Sequence, residues 1–205
     1  MTGKSRRILV FAFTTLLLSS ALFAQAAAPA REITLQLDPA PSIAEITLPT
    51  TLHTVEGKFR CKRGSIHFDP ASGKAGGEIV FDATSGNTEN GSRDHKMHKE
   101  VLESQRYPEI IFRPDHADGA FSASGASTLQ VHGQFNIHGA DHEVTVPVEI
   151  TFSSDHWTAD AKFPVPYQQW GMKNPSTLFL RVSDTVEIDL LAAGTLVRHT
   201  AHSTQ

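Results

Sequence analysis

The stretch "SRDHKMHKEV" (residues 92–101) brings Arg93, Asp94, His95, His98 and Glu100 together in one short segment. On a helix, His95 and His98 are three residues apart and share a face, so with Asp94 they could hold a metal ion. The enzymatic reading is then a metal-dependent hydrolase built on Asp94, His95 and His98. It lacks a third histidine ligand at a usual spacing and a positioned general base, and the "HExxH" arrangement is absent. The other histidines before the C-terminal tail (His53, His67, His116, His132, His138, His142 and His156) are scattered and read as solvated polar positions. No "GxSxG" elbow, phosphate-binding loop or dinucleotide fingerprint occurs. No catalytic residue is assigned. Asp94 has simpler uses, pairing with Arg93 or capping a helix.

A second polar and aromatic stretch is "VPYQQWGMKNPS" (165–176). Tyr167 and Trp170 could line the mouth of an apolar cavity with their polar edges toward water, or plug the end of a barrel. Lys173 is near enough to meet an anionic head group, although a lone lysine is usually only solvated.

The elements that would position these groups repeat with period two. In "STLQVHGQFNIHG", Leu129, Val131, Phe135 and Ile137 alternate with polar residues. Gly139 to Asp141 supplies a turn, and "EVTVPVEITF" resumes with Val144, Val146, Val148, Ile150 and Phe152. Alternation on both sides of a glycine-containing turn predicts an antiparallel hairpin with one buried face. Pro147 falls on the outward phase, where an edge or bulge tolerates it. Ala44, Ile46 and Leu48, then Ile66 and Phe68, Ile79 and Phe81, Ile110 and Phe112, and Val186, Ile188 and Leu190 mark further strands. Short strands between turns predict an all-β sandwich or barrel. One segment differs. From Ser92 to Arg106, Met97, Val101 and Leu102 recur at helical spacing, with Ser92 or Asp94 available as cap.

The N-terminus predicts export. Lys4, Arg6 and Arg7 precede the apolar "ILVFAFTTLLLSSALFA", and "AQAAA" offers small-residue cleavage sites, so residues 1–26 read as a signal peptide. The apolar run is short for a membrane span, which takes about 20 residues. The domain is expected over residues 32–197, with a polar tail at 198–205. The chain holds 18 Lys+Arg and 22 Asp+Glu, a net charge of −4. Without the three leader cations it holds 15 against 22, or −7. So acidic a chain, with no Lys/Arg stripe, is a poor nucleic-acid or anionic-surface binder. Cys61 is the only cysteine, so no internal disulfide can form, and a small core residue is its simplest role.

Ordered landmarks along the chain carry a family resemblance. They are "LHTVEGKFRCKRGSIHFDPASGKAGGEIVFDATSGNT", "SRDHKMHKEVLESQRYPEIIF", "GQFNIHGADHEVTVPVEI" and "WGMKNPSTLFLRVSDTVEIDL". Together they resemble the YceI-like family of periplasmic lipid- or polyisoprenoid-binding proteins, from about Leu35 to Gly194. The resemblance implies a lipocalin-like antiparallel β-barrel of about eight strands with a short helical insertion. It implies non-catalytic binding, storage or transport of a polyisoprenoid or similar long-chain amphiphile, an isoprenoid quinone or polyprenyl lipid, in the barrel interior. Under it Arg93 and Asp94 are a recurring polar pair near the cavity, and His98 stands where many relatives carry arginine. The cavity lining expected from the inward phase is Phe68, Phe81, Phe112, Leu129, Phe135, Ile137, Val146, Val148, Ile150 and Ile188, with Trp170 near an end. Arg93, Asp94, His98 and Tyr167 are expected at the head group or mouth. No cofactor, metal or nucleic acid is expected, nor stable membrane insertion; a homodimer is compatible with the fold. The remaining alternative is a filled barrel with a structural or stress-response role.

Overall fold

The computed structural model describes residues 32–198. The expected leader at 1–26, and all of the expected tail except Arg198, lie outside the described residues.

The described chain is a closed antiparallel barrel. Its strands are β1 (Ile33–Leu37), β2 (Ile43–Pro49), β3 (Thr54–Phe68), β4 (Ala75–Asp82), β5 (Glu109–Asp118), β6 (Gly125–Ile137), β7 (Ala140–Ser153), β8 (His156–Val165) and β9 (Val186–Arg198). These nine segments fill eight positions, because β1 and β2 are two halves of one interrupted strand. β1 pairs with the end of β3 and the end of β9, and β2 pairs with the start of each. The break between them is the turn at Asp38 to Ser42, where the buried Ser42 hydroxyl donates to the Asp38 carbonyl (2.6 Å) and accepts from Ala193 N–H (3.2 Å). β3–β4 pairing closes the other side, so no sheet edge remains open.

A bulge rather than a simple alternation sets the inward phase of β3. Val55, Gly57, Phe59 and Cys61 face in, the register then shifts between Cys61 and Arg63, and Gly64, Ile66 and Phe68 face in after it. One extra residue turns the strand over, because side chains alternate with period two. Cys61 is thereby buried, as expected of a core residue, and burial pushes its thiol up to about 11. It should therefore resist a water-soluble disulfide reagent at pH 8 in the folded protein and react in full in denaturant. Rapid native labelling would show that Cys61 is not enclosed.

Two local expectations change. The β6–β7 turn is His138–Gly139, with φ of 53° and 77°, and Asp141 already pairs with Asn136 in the strand. Two left-handed residues match the strand twist of a tight hairpin. A side chain at Gly139 would meet the Tyr107 ring 2.4 Å away. The expected helix over Ser92–Arg106 is also shorter. α1 spans Gly91–Lys96 and is capped by Asn90, whose side chain accepts from Arg93 N–H, rather than by Ser92 or Asp94. A π-turn follows over Met97–Val101, with Leu102 N–H donating to the Met97 carbonyl (2.9 Å). Glu103, at φ 45°, ends it. Pro147 sits just before β7–β8 pairing begins at Val148, so its missing N–H disrupts no bond on that side.

Following the strands gives the barrel two ends. The lower end carries the β3–β4, β5–β6 and β7–β8 turns. The upper end carries the β2–β3 turn, residues 83–108 with α1, the His138–Gly139 turn and the loop at 166–185.

Candidate functional site: an apolar cavity with a polar rim

The barrel interior is hollow. A cavity of about 630 Å³ runs from Phe68 and Trp157 below to Thr50, Lys96 and Thr177 above. This volume is within the range of small-molecule sites, roughly 300–1,000 Å³. The filled-barrel alternative is thus not what the structure shows.

Aromatic rings close the bottom. Phe121 meets Phe68 edge-on at 5.3 Å and Phe152 at 5.5 Å, and Trp157 Nε1 donates to the Thr195 carbonyl (3.2 Å). Inward residues of facing strands form the walls. All the strand residues expected from the inward phase line the cavity: Phe68, Phe81, Phe112, Leu129, Phe135, Ile137, Val146, Val148, Ile150 and Ile188. The expected list missed Phe59, Ile66, Phe121, Trp157, Ala159 and Phe163, which line it too. The alternation in "EGKFRC" and "HWTADAKFPV" carries part of that signal. Phe121 lies in a connection, where no periodicity could reveal it.

Polar wall groups gather at the upper end, with Thr50, His53, Asn90, Ser92, Arg93 and Lys96 around the opening. The mouth lies between α1, the β2–β3 turn and the loop at 174–182. Two links hold α1 and the π-turn after it to the loop at 166–185: Lys96 Nζ of α1 donates to the Pro175 carbonyl (3.1 Å), and Lys173 pairs with Glu100 of the π-turn (2.6 Å). Lys173 hydrogen-bonds Glu100 and holds its carboxyl below the usual range. Lys173 therefore ties the rim together instead of reaching for a head group.

The polar residues expected at the mouth divide into two groups. Arg93 and Tyr167 touch the cavity; Asp94 and His98 stand behind its wall. Arg93 and Asp94 meet on Thr88, which is buried. Thr88 N–H and hydroxyl both donate to Asp94 Oδ1 (2.9 and 2.5 Å), while Arg93 Nε donates to the Thr88 hydroxyl oxygen (2.7 Å) and Nη2 to its carbonyl (2.6 Å). Gly57 permits this knot, since a Cβ there would lie 2.8 Å from Thr88 Cγ2. His98 is a staple. Its Nε2 lies 2.9 Å from the Gly86 carbonyl, so Nε2 carries the proton, and Nδ1 can accept from the buried Ser104 hydroxyl at 3.0 Å. With both nitrogens occupied, His98 has none to offer a metal or a head group. His95 is exposed, and among the described residues no three His, Cys, Asp or Glu side chains gather as a metal site. The hydrolase reading has no geometry to support it.

Tyr167 lines the cavity with its ring and donates its hydroxyl to the Ser183 carbonyl (2.6 Å), and burial pushes its phenol up to about 12. Trp170, expected near an end of the cavity, is not part of its wall. It stacks flat on His142 (4.1 Å, 4°) and tilts against Phe135 (5.9 Å). His142 therefore departs from the solvated role expected of it. It lies on the inward phase opposite Phe135, desolvation lowers its pKa, and its buried Nε2 has no hydrogen-bond partner. Trp170 therefore packs against the outer part of this end of the barrel and does not line the cavity mouth.

Comparison with known proteins places this architecture. The model of the YceI-like domain matches residues 35–193. Burkholderia cenocepacia BcnA has a similar structure at 20% identity and a TM-score of 0.64, covering 78% of this chain and 99% of that one. A polyisoprenoid-binding domain from Saccharophagus degradans, implicated in plant cell wall breakdown, is similar at 16% identity and a TM-score of 0.62, covering 78% and 97%. The Campylobacter jejuni YceI protein is similar at 18% identity and a TM-score of 0.55, covering 71% and 85%. Among curated protein sequences nothing matches. These structural likenesses concern the fold, and the matched segment runs from the middle of β1 through β2 and α1 into the first part of β9. The chain belongs to the YceI-like family.

Proposed function

We propose that this protein is a non-catalytic periplasmic carrier or store for a polyisoprenoid or similar long-chain amphiphile, such as an isoprenoid quinone or a polyprenyl lipid. The tail would lie in the barrel and the head at the rim. The observation that carries this reading is the segregation of the cavity wall: apolar side chains below, with Arg93, Asn90 and Lys96 at the opening. A long apolar chain gains from every ångström of such a wall, about 25 cal/mol per Å² removed from water before ordering costs. Selectivity follows from the length and width of the tube. Phe68, Phe121 and Trp157 set its floor, so tails longer than the lumen would protrude at the mouth. The head-group side is permissive. Arg93 already donates twice to Thr88, and His98 is not available, so a neutral quinone ring is as acceptable as a phosphate. The polyisoprenoid-binding neighbour from Saccharophagus degradans supports the ligand class through the shared fold.

Native mass spectrometry of freshly purified protein tests the proposal. The expected spectrum contains a protein–amphiphile adduct that organic solvent releases as a long-chain lipid. Protein that is lipid-free and also fails to take up isoprenoid quinones would overturn it.

A further inference from the structure

Two turns flank the mouth and present apolar side chains where polar residues are usual. Residues 50–53 form one, with Thr50 N–H donating to the His53 carbonyl (3.2 Å) and Leu52 at its tip. Residues 177–180 form the other, closed by Thr177 N–H to the Leu180 carbonyl (2.8 Å), with Leu178 and Phe179 at its two central positions. The turns are joined: Thr51 N–H donates to the Arg181 carbonyl (3.0 Å), Arg181 N–H to the Thr51 hydroxyl (3.3 Å), and Thr50 bridges Val182. Leu52, Leu178 and Phe179 are 75%, 86% and 87% exposed, the highest values for large apolar side chains among the described residues. Turn tips favour Gly, Asn, Asp and Ser, so neither fold nor turn chemistry requires leucine or phenylalanine there. Thr50, His53, Thr177 and Leu180 of the same two turns, with Val182 just after the second, line the cavity opening. Cations accompany this lip. Arg181 is exposed and Lys96 is on the rim, and neither forms an ion pair with a carboxylate among the described residues.

We propose that the joined turns are a membrane-docking lip, which inserts Leu52, Leu178 and Phe179 among the acyl chains of an anionic phospholipid bilayer and brings the cavity mouth to its surface. The proposal rests on the amphiphile-binding reading above. A water-insoluble guest resides in a bilayer, and an apolar lip continuous with the cavity lets it pass without crossing water. Arg181 and Lys96 lie where anionic head groups would meet the rim, so docking is expected despite the overall negative charge. Three inserted side chains support reversible docking, not a membrane span.

The test is co-sedimentation of protein from the soluble envelope fraction, its N-terminus checked by intact mass, with vesicles of phosphatidylethanolamine and phosphatidylglycerol. The L178S/F179S variant is compared with the parent chain. The expected result is saturable binding that the variant weakens on the order of tenfold, given the apolar area removed, and that weakens as phosphatidylglycerol is omitted. Uptake of a quinone from cyclodextrin, with no vesicles present, should be equal in both proteins. Equal vesicle binding by the two proteins, or none by either, overturns the lip. So does a dimer of the parent chain that the substitution dissolves, because the lip would then be an interface between two copies. A parent chain that docks but takes up no quinone leaves the lip standing and counts against the cavity reading alone.

Discussion

An Ala159→Phe variant is expected to stay folded and to lose its amphiphile. Ala159 lies on the inward phase of β8, opposite Ile150 and Ala192, and its small side chain is part of the cavity wall. A phenyl ring there projects into empty lumen rather than into packed neighbours, so the usual strain of overpacking is largely avoided. It displaces the guest instead. If the ring takes the place of roughly 100 Å² of tail contact, the loss is about 2.5 kcal/mol, or roughly 70-fold in affinity. Partial filling should also raise the melting temperature of the lipid-free protein, because wall atoms regain partners. Thr158→Phe, on the outward phase of the same strand, is the control. Native mass spectrometry with a thermal scan reads both effects. An Ala159→Phe protein that retains its lipid as well as the parent would place the guest elsewhere.

Asp94→Ala should produce the largest loss of stability among changes near the mouth. The side chain accepts from both the backbone N–H and the hydroxyl of Thr88, whose residue is buried. Truncation leaves both donors unmatched on the residue that also anchors the Arg93 guanidinium. Hydrogen bonds to an ionised acceptor are worth about 1.5–3 kcal/mol each, and shared geometry makes the two less than additive, so a loss of about 2–4 kcal/mol is expected. The damage should not stay local. Segment 86–88 holds α1 against β3 through the Lys58–Asn87 bridge, and α1 forms one side of the mouth. Guest dissociation should therefore quicken even where the variant remains folded. Urea denaturation and a lipid-transfer rate measure the two consequences. An unchanged midpoint would show that the Thr88 knot is not structural.

The cluster that opens the chemical question is thus answered by its partners. Seven titratable groups in ten residues suggest acid–base or metal chemistry from spacing alone, yet Asp94 reaches back to Thr88, His98 to Gly86 and Ser104, and Glu100 across to Lys173. Each contact joins residues that sequence spacing does not pair. Hydrogen bonding of this kind depends on where loops return, which local pattern does not encode. The same holds for Trp170, whose role follows from His142 lying beneath it.

What the amino-acid order determined by itself is the strand phase. Alternation with period two put Phe68, Phe81, Phe112, Leu129, Phe135, Ile137, Val146, Val148, Ile150 and Ile188 on one face, and in a closed barrel one face has to be the inside. Apolar residues drive that choice through water, so the signal is local and survives without coordinates. Whether the inside is full or hollow is a different quantity, the difference between the volume the walls enclose and the volume their side chains occupy. That difference depends on barrel closure, on the interrupted β1–β2 strand and on the bulge in β3, and no window of sequence contains it. Tertiary structure alone decided that a lumen of about 630 Å³ remains and that it opens beside α1.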